Sequence, residues 1–252
     1  MRGTSWYLAG ILAVGAVLAG TAAASADTGS AAPGARAAAG GVGGLVWFDR
    51  DADRVRDRAE PGASGVVVTA TNARTGQRYQ ATTDRAGNYL IAVPAGVYDV
   101  SADNTGYQPT TREDQRIQVV SGRASAANYG IRGGSISGLA WYDQNKDGVR
   151  EASEPRISGV PVTAVSSRGV VYRTVTDRNG GYTLNDLAAG DYVVRFVKPS
   201  STASGFTQPF IGDARTDSNV QDLQRGYAYV RLGATTGGVQ DAKYVDAGYV
   251  RS

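Results

Sequence analysis

Cysteine and histidine are both missing from the 252 residues. Without cysteine there are no disulfides. Without either residue there is no cysteine- or serine-based nucleophile system that relies on histidine. There is also no zinc site of His and Cys ligands, no haem site with those ligands and no iron–sulfur cluster. A bound metal must then be held by oxygen, which points to calcium or magnesium. Excess charge of one sign is scarce too: 26 Lys and Arg stand against 23 Asp and Glu, for a net +3. The charges are interspersed, with no basic stripe and no basic patch interleaved with aromatics, so nucleic acid is not an expected partner. Beyond the N-terminus no stretch is apolar enough to span a membrane, and none keeps a 3.6-residue apolar period.

The N-terminus is the exception. Arg2 precedes an uncharged stretch from Trp6 to Ala24, with an apolar core around Leu8–Leu18 and an Ala24-Ser25-Ala26 site. A basic start, an apolar core and a small-residue site describe a secretion signal over residues 1–26, cut after Ala26. The alternative is an uncleaved anchor. Its apolar stretch is diluted by glycine and alanine, whereas about 20 strongly apolar residues span a bilayer. Cleavage leaves a secreted, extracellular chain with no stable membrane span. Residues 27–44 are almost all Ala, Gly, Ser and Thr and read as a flexible linker.

After the linker one pattern is written twice, at an offset of 94. Leu45-Val46-Trp47-Phe48-Asp49 matches Leu139-Ala140-Trp141-Tyr142-Asp143. Glu60-Pro61 matches Glu154-Pro155, and Ser64-Gly65-Val66 matches Ser158-Gly159-Val160. Thr83-Asp84-Arg85 and Thr176-Asp177-Arg178 correspond with one residue of slippage, and Ala95-Gly96 meets Ala189-Gly190. Two homologous modules follow, over 45–132 and 134–251, divided near Arg132-Gly133-Gly134. Gly65–Thr71, Tyr89–Val93 and Tyr98–Ala102 are short β-branched or aromatic runs bounded by turn residues. Gly159–Val165, Val170–Thr176, Tyr182–Leu184 and Tyr192–Val197 repeat them. The expected fold is all-β: two tandem antiparallel β-sandwiches of Ig-like or prealbumin-like type.

The most specific signal is an acidic loop. Asp143-Gln144-Asn145-Lys146-Asp147-Gly148 and the residues to Glu154 fit D-x-[DN]-x-[DN]-G-x5-E, the spacing of a calcium loop. Calcium takes six to eight oxygens at about 2.3–2.6 Å. Asp143, Asn145 and Asp147, at alternate positions, can converge on one point while Gly148 turns the chain. The Val149 carbonyl, Glu151 (directly or through water) and a bidentate Glu154 can complete the shell. The alternative is a solvated acidic turn. Recurrence favours the cation, because Asp49, Asp51, Asp53, the Val55 carbonyl, Asp57 and Glu60 hold the corresponding places in module one. That first loop has Arg54 where the turn glycine belongs, which costs about 1 kcal/mol at positive φ. Arg50, Arg56 and Arg58 add positive charge, so weaker binding is expected there. An EF-hand would need flanking helices. Here a strand-like segment leads in and Pro155 with a β-type run leads out.

These motifs carry a resemblance. Ile136 through Glu154, Ile157-Ser158-Gly159-Val160, Thr176-Asp177, Gly181-Tyr182 and Gly190-x-Tyr192 resemble the SdrD B-like domain. This is the B-type repeat of serine-aspartate repeat surface proteins, related to Cna-B modules. Gly212-Asp213, Asp217-Ser218-Asn219-Val220 and Val245-Asp246-Ala247-Gly248 match its downstream segment and closing strand. Module one resembles a degenerate copy and, where the D-S-N segment is missing, a carboxypeptidase-regulatory-like or transthyretin-like module. The resemblance implies calcium-rigidified sandwiches that act as stalks on Gram-positive surfaces. It implies the loop residues above as ligands and adds Asp217 and Asn219 as candidates for a further site, whose alternative reading is an ordinary polar turn. A serine-aspartate tract, a sorting signal of the L-P-x-T-G type and a large adhesive tip do not occur in this sequence.

Two aromatic residues, Trp47 and Trp141, stand beside the loops and read either as a sugar platform or as packing beneath the loop. Of the three lysines, Lys146, Lys198 and Lys243, none lies on Ser135–Trp141, the strand where Cna-B modules place an isopeptide lysine. No such cross-link is expected. The clustered carboxylates are accounted for by a cation, and no cleft-forming insertion is evident for a glycosidase pair, so no enzyme is expected. The expectation is a calcium-stabilised spacer or display scaffold, met by an extracellular protein or polysaccharide. A small carbohydrate- or protein-binding module is the alternative.

Overall fold

The computed structural model describes residues 40–199, 203–235 and 238–251. The expected secretion signal, and the expected linker as far as residue 39, lie outside the described residues. Within module one the strands are β1 (Gly40–Phe48), β2 (Val67–Asn72), β3 (Arg78–Thr82), β4 (Asn88–Val93) and β5 (Gly96–Ala102). They are followed by β6 (Gln108–Pro109), β7 (Asp114–Val119), β8 (Ala124–Ala126) and β9 (Tyr129–Arg132). Module two has β10 (Gly134–Tyr142), β11 (Pro161–Ser166), β12 (Val171–Val175), β13 (Gly181–Leu187) and β14 (Gly190–Phe196). It ends with β15 (Gly205–Phe206), β16 (Tyr227–Leu232), β17 (Ala234–Thr235), β18 (Gly238–Val239) and β19 (Ala247–Val250). The described residues contain no helix, and so none long and apolar enough to cross a membrane.

The repeat in sequence is a repeat in topology. One sheet of module one runs β4-β1-β9-β6 and its partner β3-β2-β5-β7. Module two runs β13-β10-β19-β15 and β12-β11-β14-β16. Most pairings are antiparallel, as expected, but the first and last strands of each module lie parallel: β1 with β9, and β10 with β19. Strand alternation selects the core. In β4 the pattern is strictly exposed then buried, so Tyr89, Ile91 and Val93 point inward and Leu90 outward. Each module buries its own apolar cluster, one around Val68, Tyr98 and Ile131, the other around Ile136, Phe196 and Tyr249.

One boundary differs from the sequence expectation. Gly40–Gly44 were assigned to the linker, but they form half of β1 and pair with β4 from Val93 to Tyr89. Small residues there mark close packing rather than slack: a Cβ on Gly44 would lie 1.9 Å from the Ala127 carbonyl oxygen. The strand Asp114–Val119 has exposed polar residues at alternate positions and a sheet-edge place, so its sequence lacked the apolar signal of the others.

Trp47 and Trp141 are 4% and 0% exposed. Both are packing residues, and neither offers a face to sugar. Truncating Trp141 to alanine should cost about 3–5 kcal/mol of folding stability in denaturant titration, while Leu90→Ala, at an exposed position, should stay within about 0.5 kcal/mol.

Candidate metal centres

Each acidic loop starts where the first strand of its module stops. Asp49 donates its backbone N–H to Ile131 O and Asp143 donates its own to Tyr249 O, both at 2.9 Å, which ties the loop entrance to the last strand. From there the two loops follow one geometry. Ala52 and Arg54 take φ of 63° and 69°, and Lys146 and Gly148 take 63° and 82°. Two left-handed residues, two apart, curl the backbone so that its N–H groups face inward.

Five matched hydrogen bonds hold the curl. Asp49 Oδ2 accepts Arg54 N–H at 3.0 Å, and Asp143 Oδ2 accepts Gly148 N–H at 2.9 Å. Asp51 and Asn145 Oδ1 each accept from the backbone two residues on, at 3.2 Å. Asp53 accepts Val55 N–H at 2.7 Å, and Asp147 accepts Val149 N–H at 2.8 Å. The closing glutamates span their loops. Glu60 accepts Arg50 N–H at 2.7 Å and Asp57 N–H at 3.1 Å, while Glu154 accepts Gln144 N–H at 2.7 Å and Glu151 N–H at 3.2 Å.

In loop one this brings the aspartates together. Asp49, Asp51 and Asp53 each place a carboxylate oxygen within 4.8 Å of the others. Asp49 is fully buried, and its Oδ1 has no hydrogen-bond partner. A buried, unpartnered anionic oxygen is costly, and a divalent cation among three carboxylates satisfies it. The donor set, all hard oxygen, fits calcium. Val55 and Asp57 lie on the exposed rim of the same loop. Arginine at position 54 does not prevent the turn.

In loop two Asp143 is buried and already has donors from Lys146 N–H at 2.6 Å, Gly148 N–H and the Thr207 hydroxyl. Asn145 Nδ2 donates to Asp147 Oδ2 at 2.9 Å and to Glu151 Oε1 at 3.4 Å, which gathers the same side chains. Burial, with the negative Glu151 beside it, raises the Glu154 carboxyl above the usual carboxylate range.

Module two adds a cover that module one lacks. The segment from Thr207 to Asp217 folds over loop two. Val149 bridges to Asp217, Arg150 N–H donates to Thr216 O at 2.7 Å, and Gly148 sits against Ile211. Asp217 therefore does reach the loop: it is buried, its Oδ1 has no partner, and burial raises its pKa. Asn219 is differently placed. Its Oδ1 accepts Asp246 N–H at 2.7 Å and its N–H donates to Asp246 O, so it ties the segment to the lead-in of β19.

Sequence reasoning named Asp246 only as part of a motif. It is fully buried, its Oδ1 accepts Leu139 N–H at 2.8 Å, and its Oδ2 lies 3.5 Å from Arg150 Nε. Burial pushes its pKa up to about 6 from 3.8. Thr207 and Arg150 were also missed, because only the tertiary fold brings them to Asp143 and Asp246.

Two predictions follow from this geometry. Arg54→Gly should gain up to about 1 kcal/mol by relieving a left-handed arginine. Gly148→Ala should destabilise, because its Cβ would meet Ile211 at 3.0 Å as well as adopting φ of 82°; denaturant titration of both variants checks the pair. The second prediction concerns pH. Folding raises the Asp246 pKa, so the folded state holds that proton more tightly. Its contribution is fully present below the unfolded value of 3.8 and is lost as pH rises through about 6. In EDTA, the stability of the parent relative to Asp246→Asn should fall by on the order of 2 kcal/mol between about pH 4 and 6.5. A flat difference would refute the assignment.

Comparison with known proteins bears on this architecture. The family model of the SdrD B-like domain matches residues 134–249. The carboxypeptidase regulatory-like domain matches residues 54–129, so module one is matched by a different family. Serine-aspartate repeat-containing protein F of Staphylococcus epidermidis is 33% identical over 199 residues, covering 72% of this chain and 12% of that protein. Serine-aspartate repeat-containing protein D of Staphylococcus aureus is 32% identical over 200 residues, covering 72% and 15%. The chain thus spans about an eighth of the length of such relatives. Among solved structures, the shaft pilin SpaA from Lactobacillus rhamnosus GG aligns at 11% identity and a TM-score of 0.41, covering 85% of this chain and 98% of that one. The Bacillus anthracis TIE protein aligns at 14% identity and a TM-score of 0.34, covering 85% and 34%.

Proposed function

The chain belongs, through residues 134–249, to the SdrD B-like domain family, and from that premise we propose that it is a calcium-stabilised rigid spacer or display scaffold. It is a structural module of the secreted, cell-surface type. Calcium is held in loop one by Asp49, Asp51 and Asp53, with the Val55 carbonyl, Asp57 and Glu60 completing the shell. In loop two the ligands are Asp143, Asn145, Asp147, the Val149 carbonyl, Glu151 and Glu154, with Asp217 beside them. The observation that carries this reading is the gathering of one carboxylate oxygen each from Asp49, Asp51 and Asp53 within 4.8 Å of one another, at a loop whose buried Asp49 has an unpartnered Oδ1.

The mechanism is mechanical rather than chemical. The bound cation supplies positive charge that cancels carboxylate repulsion. The protein's own residues do the rest: Asp49 and Asp143 join the loop entrance to the last strand, and Glu60 and Glu154 staple each loop across its width. No reaction is assigned to these carboxylates. The modules at 40–132 and 134–251 act as the units of length.

Binding to the native state alone adds about 2.7 kcal/mol at a hundredfold excess over Kd. For a chain of this size that corresponds to a rise of roughly 5–10 °C in Tm. Thermal unfolding in EDTA and in about 2 mM calcium should show that rise, reduced by Asp53→Ala and by Asp147→Ala. Equal midpoints, with no heat of calcium binding by calorimetry, would overturn the reading.

A further inference from the structure

We propose that the first acidic loop is the lock of the joint between the two modules, with Arg50 of that loop gripping Asp186 of module two. The inference rests on the spacer reading and deepens it, because a spacer is only as stiff as its joint.

The grip is built by a deviation from the repeat. In module one the β1–β4 ladder is unbroken, and Ala92 alone stands between Ile91 and Val93. In module two the β10–β13 ladder slips between Gly134 and Ile136, and two residues, Asn185 and Asp186, stand between Leu184 and Leu187. The extra residue makes a β-bulge, and bulges re-aim side chains. Asp186 sits there at φ 64°, a left-handed backbone that a non-glycine residue holds only when its surroundings impose it.

The re-aimed carboxylate meets a fork. Arg50 Nε donates to Asp186 Oδ1 at 2.9 Å and Nη2 to Oδ2 at 2.5 Å. Such bidentate pairs fix direction as well as distance. Arg50 is anchored at its other end, since its backbone N–H binds Glu60 and its neighbour Asp49 starts the loop. The order of loop one is therefore passed directly to module two. Around the pair, Ala189 N–H donates to Gly106 O at 2.6 Å and Arg168 to Thr105 O at 3.3 Å. Tyr107 packs edge-on against Phe48 with centroids 5.6 Å apart.

The partners exist only once. Gln144 stands in loop two where Arg50 stands in loop one, and module one has Ala92 in place of the bulge. The clamp is a property of this joint, not of the repeat, and among the described residues loop two has no equivalent grip.

Because the chain lacks cysteine, Gln80→Cys and Gln221→Cys give two unique sites for spin labels, one per module. Distance distributions by pulsed electron paramagnetic resonance on the full chain, in EDTA and in about 2 mM calcium, then report the joint. Asp186→Asn should broaden the distribution, raising the ratio of open to closed joints about three- to tenfold. The exchange Arg50→Asp with Asp186→Arg should narrow it again. In calcium, Asp53→Ala should broaden the joint and Asp147→Ala should not. Unchanged circular dichroism confirms that each variant folds. A parental width for Asp186→Asn, or equal broadening by Asp147→Ala and Asp53→Ala, overturns the proposal. Failure of the calcium reading gives a separate pattern: calcium leaves the parent unchanged while Asp186→Asn still broadens it. That result refutes the coupling to the cation and leaves the Arg50–Asp186 grip in place.

Discussion

A buried aspartate at the end of the first strand governs each module. Asp49 and Asp143 stand one step beyond the strand that carries the core tryptophan. Their backbone N–H groups bind the last strand, and their carboxylates bind the loop that follows. Burying a carboxylate is costly unless it is hydrogen-bonded or paired. The loop must therefore curl back and present N–H groups, and it does so through two left-handed residues in each module. Strand pairing, loop shape and the gathering of acidic side chains all descend from that requirement.

The two loops meet the requirement differently. Asp143 receives a third donor from Thr207, brought in by the covering segment, whereas Asp49 has no such partner and leaves one oxygen bare. Loop two is thus partly satisfied by protein, with Arg150 set against the buried Asp246 behind it. Loop one is more open and more acidic at its centre, in spite of its four arginines. Those arginines are not equivalent. Arg54 adopts the glycine conformation, and Arg50 turns away from the aspartates toward the neighbouring module.

The two modules share an order of strands and differ in small departures from it. The two four-strand sheet orders are shared, so the departures stand out: a third pairing of β1 with β8 in module one, the β17–β18 hairpin and a covering segment in module two, one bulge and one glutamine for an arginine. Each of the last three lies at a loop or a ladder end, where a residue can be added without disturbing the alternation that packs the core.

Much of this was legible from the residues alone. Absent cysteine and histidine limited any metal to oxygen ligands. The offset repeat marked two modules, alternation marked the strands, and the D-x-[DN]-x-[DN] spacing marked the loops, because each of these is a local property of the chain. The rest depended on which distant segments meet. Glycine-rich residues 40–44 resembled slack, since a chain shows no neighbours, yet they are where β1 packs most closely on Ala127. Asn219 matched a ligand by type, but the lead-in to β19 takes up its oxygen. Thr207, Asp246 and the Arg50–Asp186 pair join residues from 64 to 136 positions apart. Separations of that size carry no periodic signal, so only the tertiary fold could choose those partners.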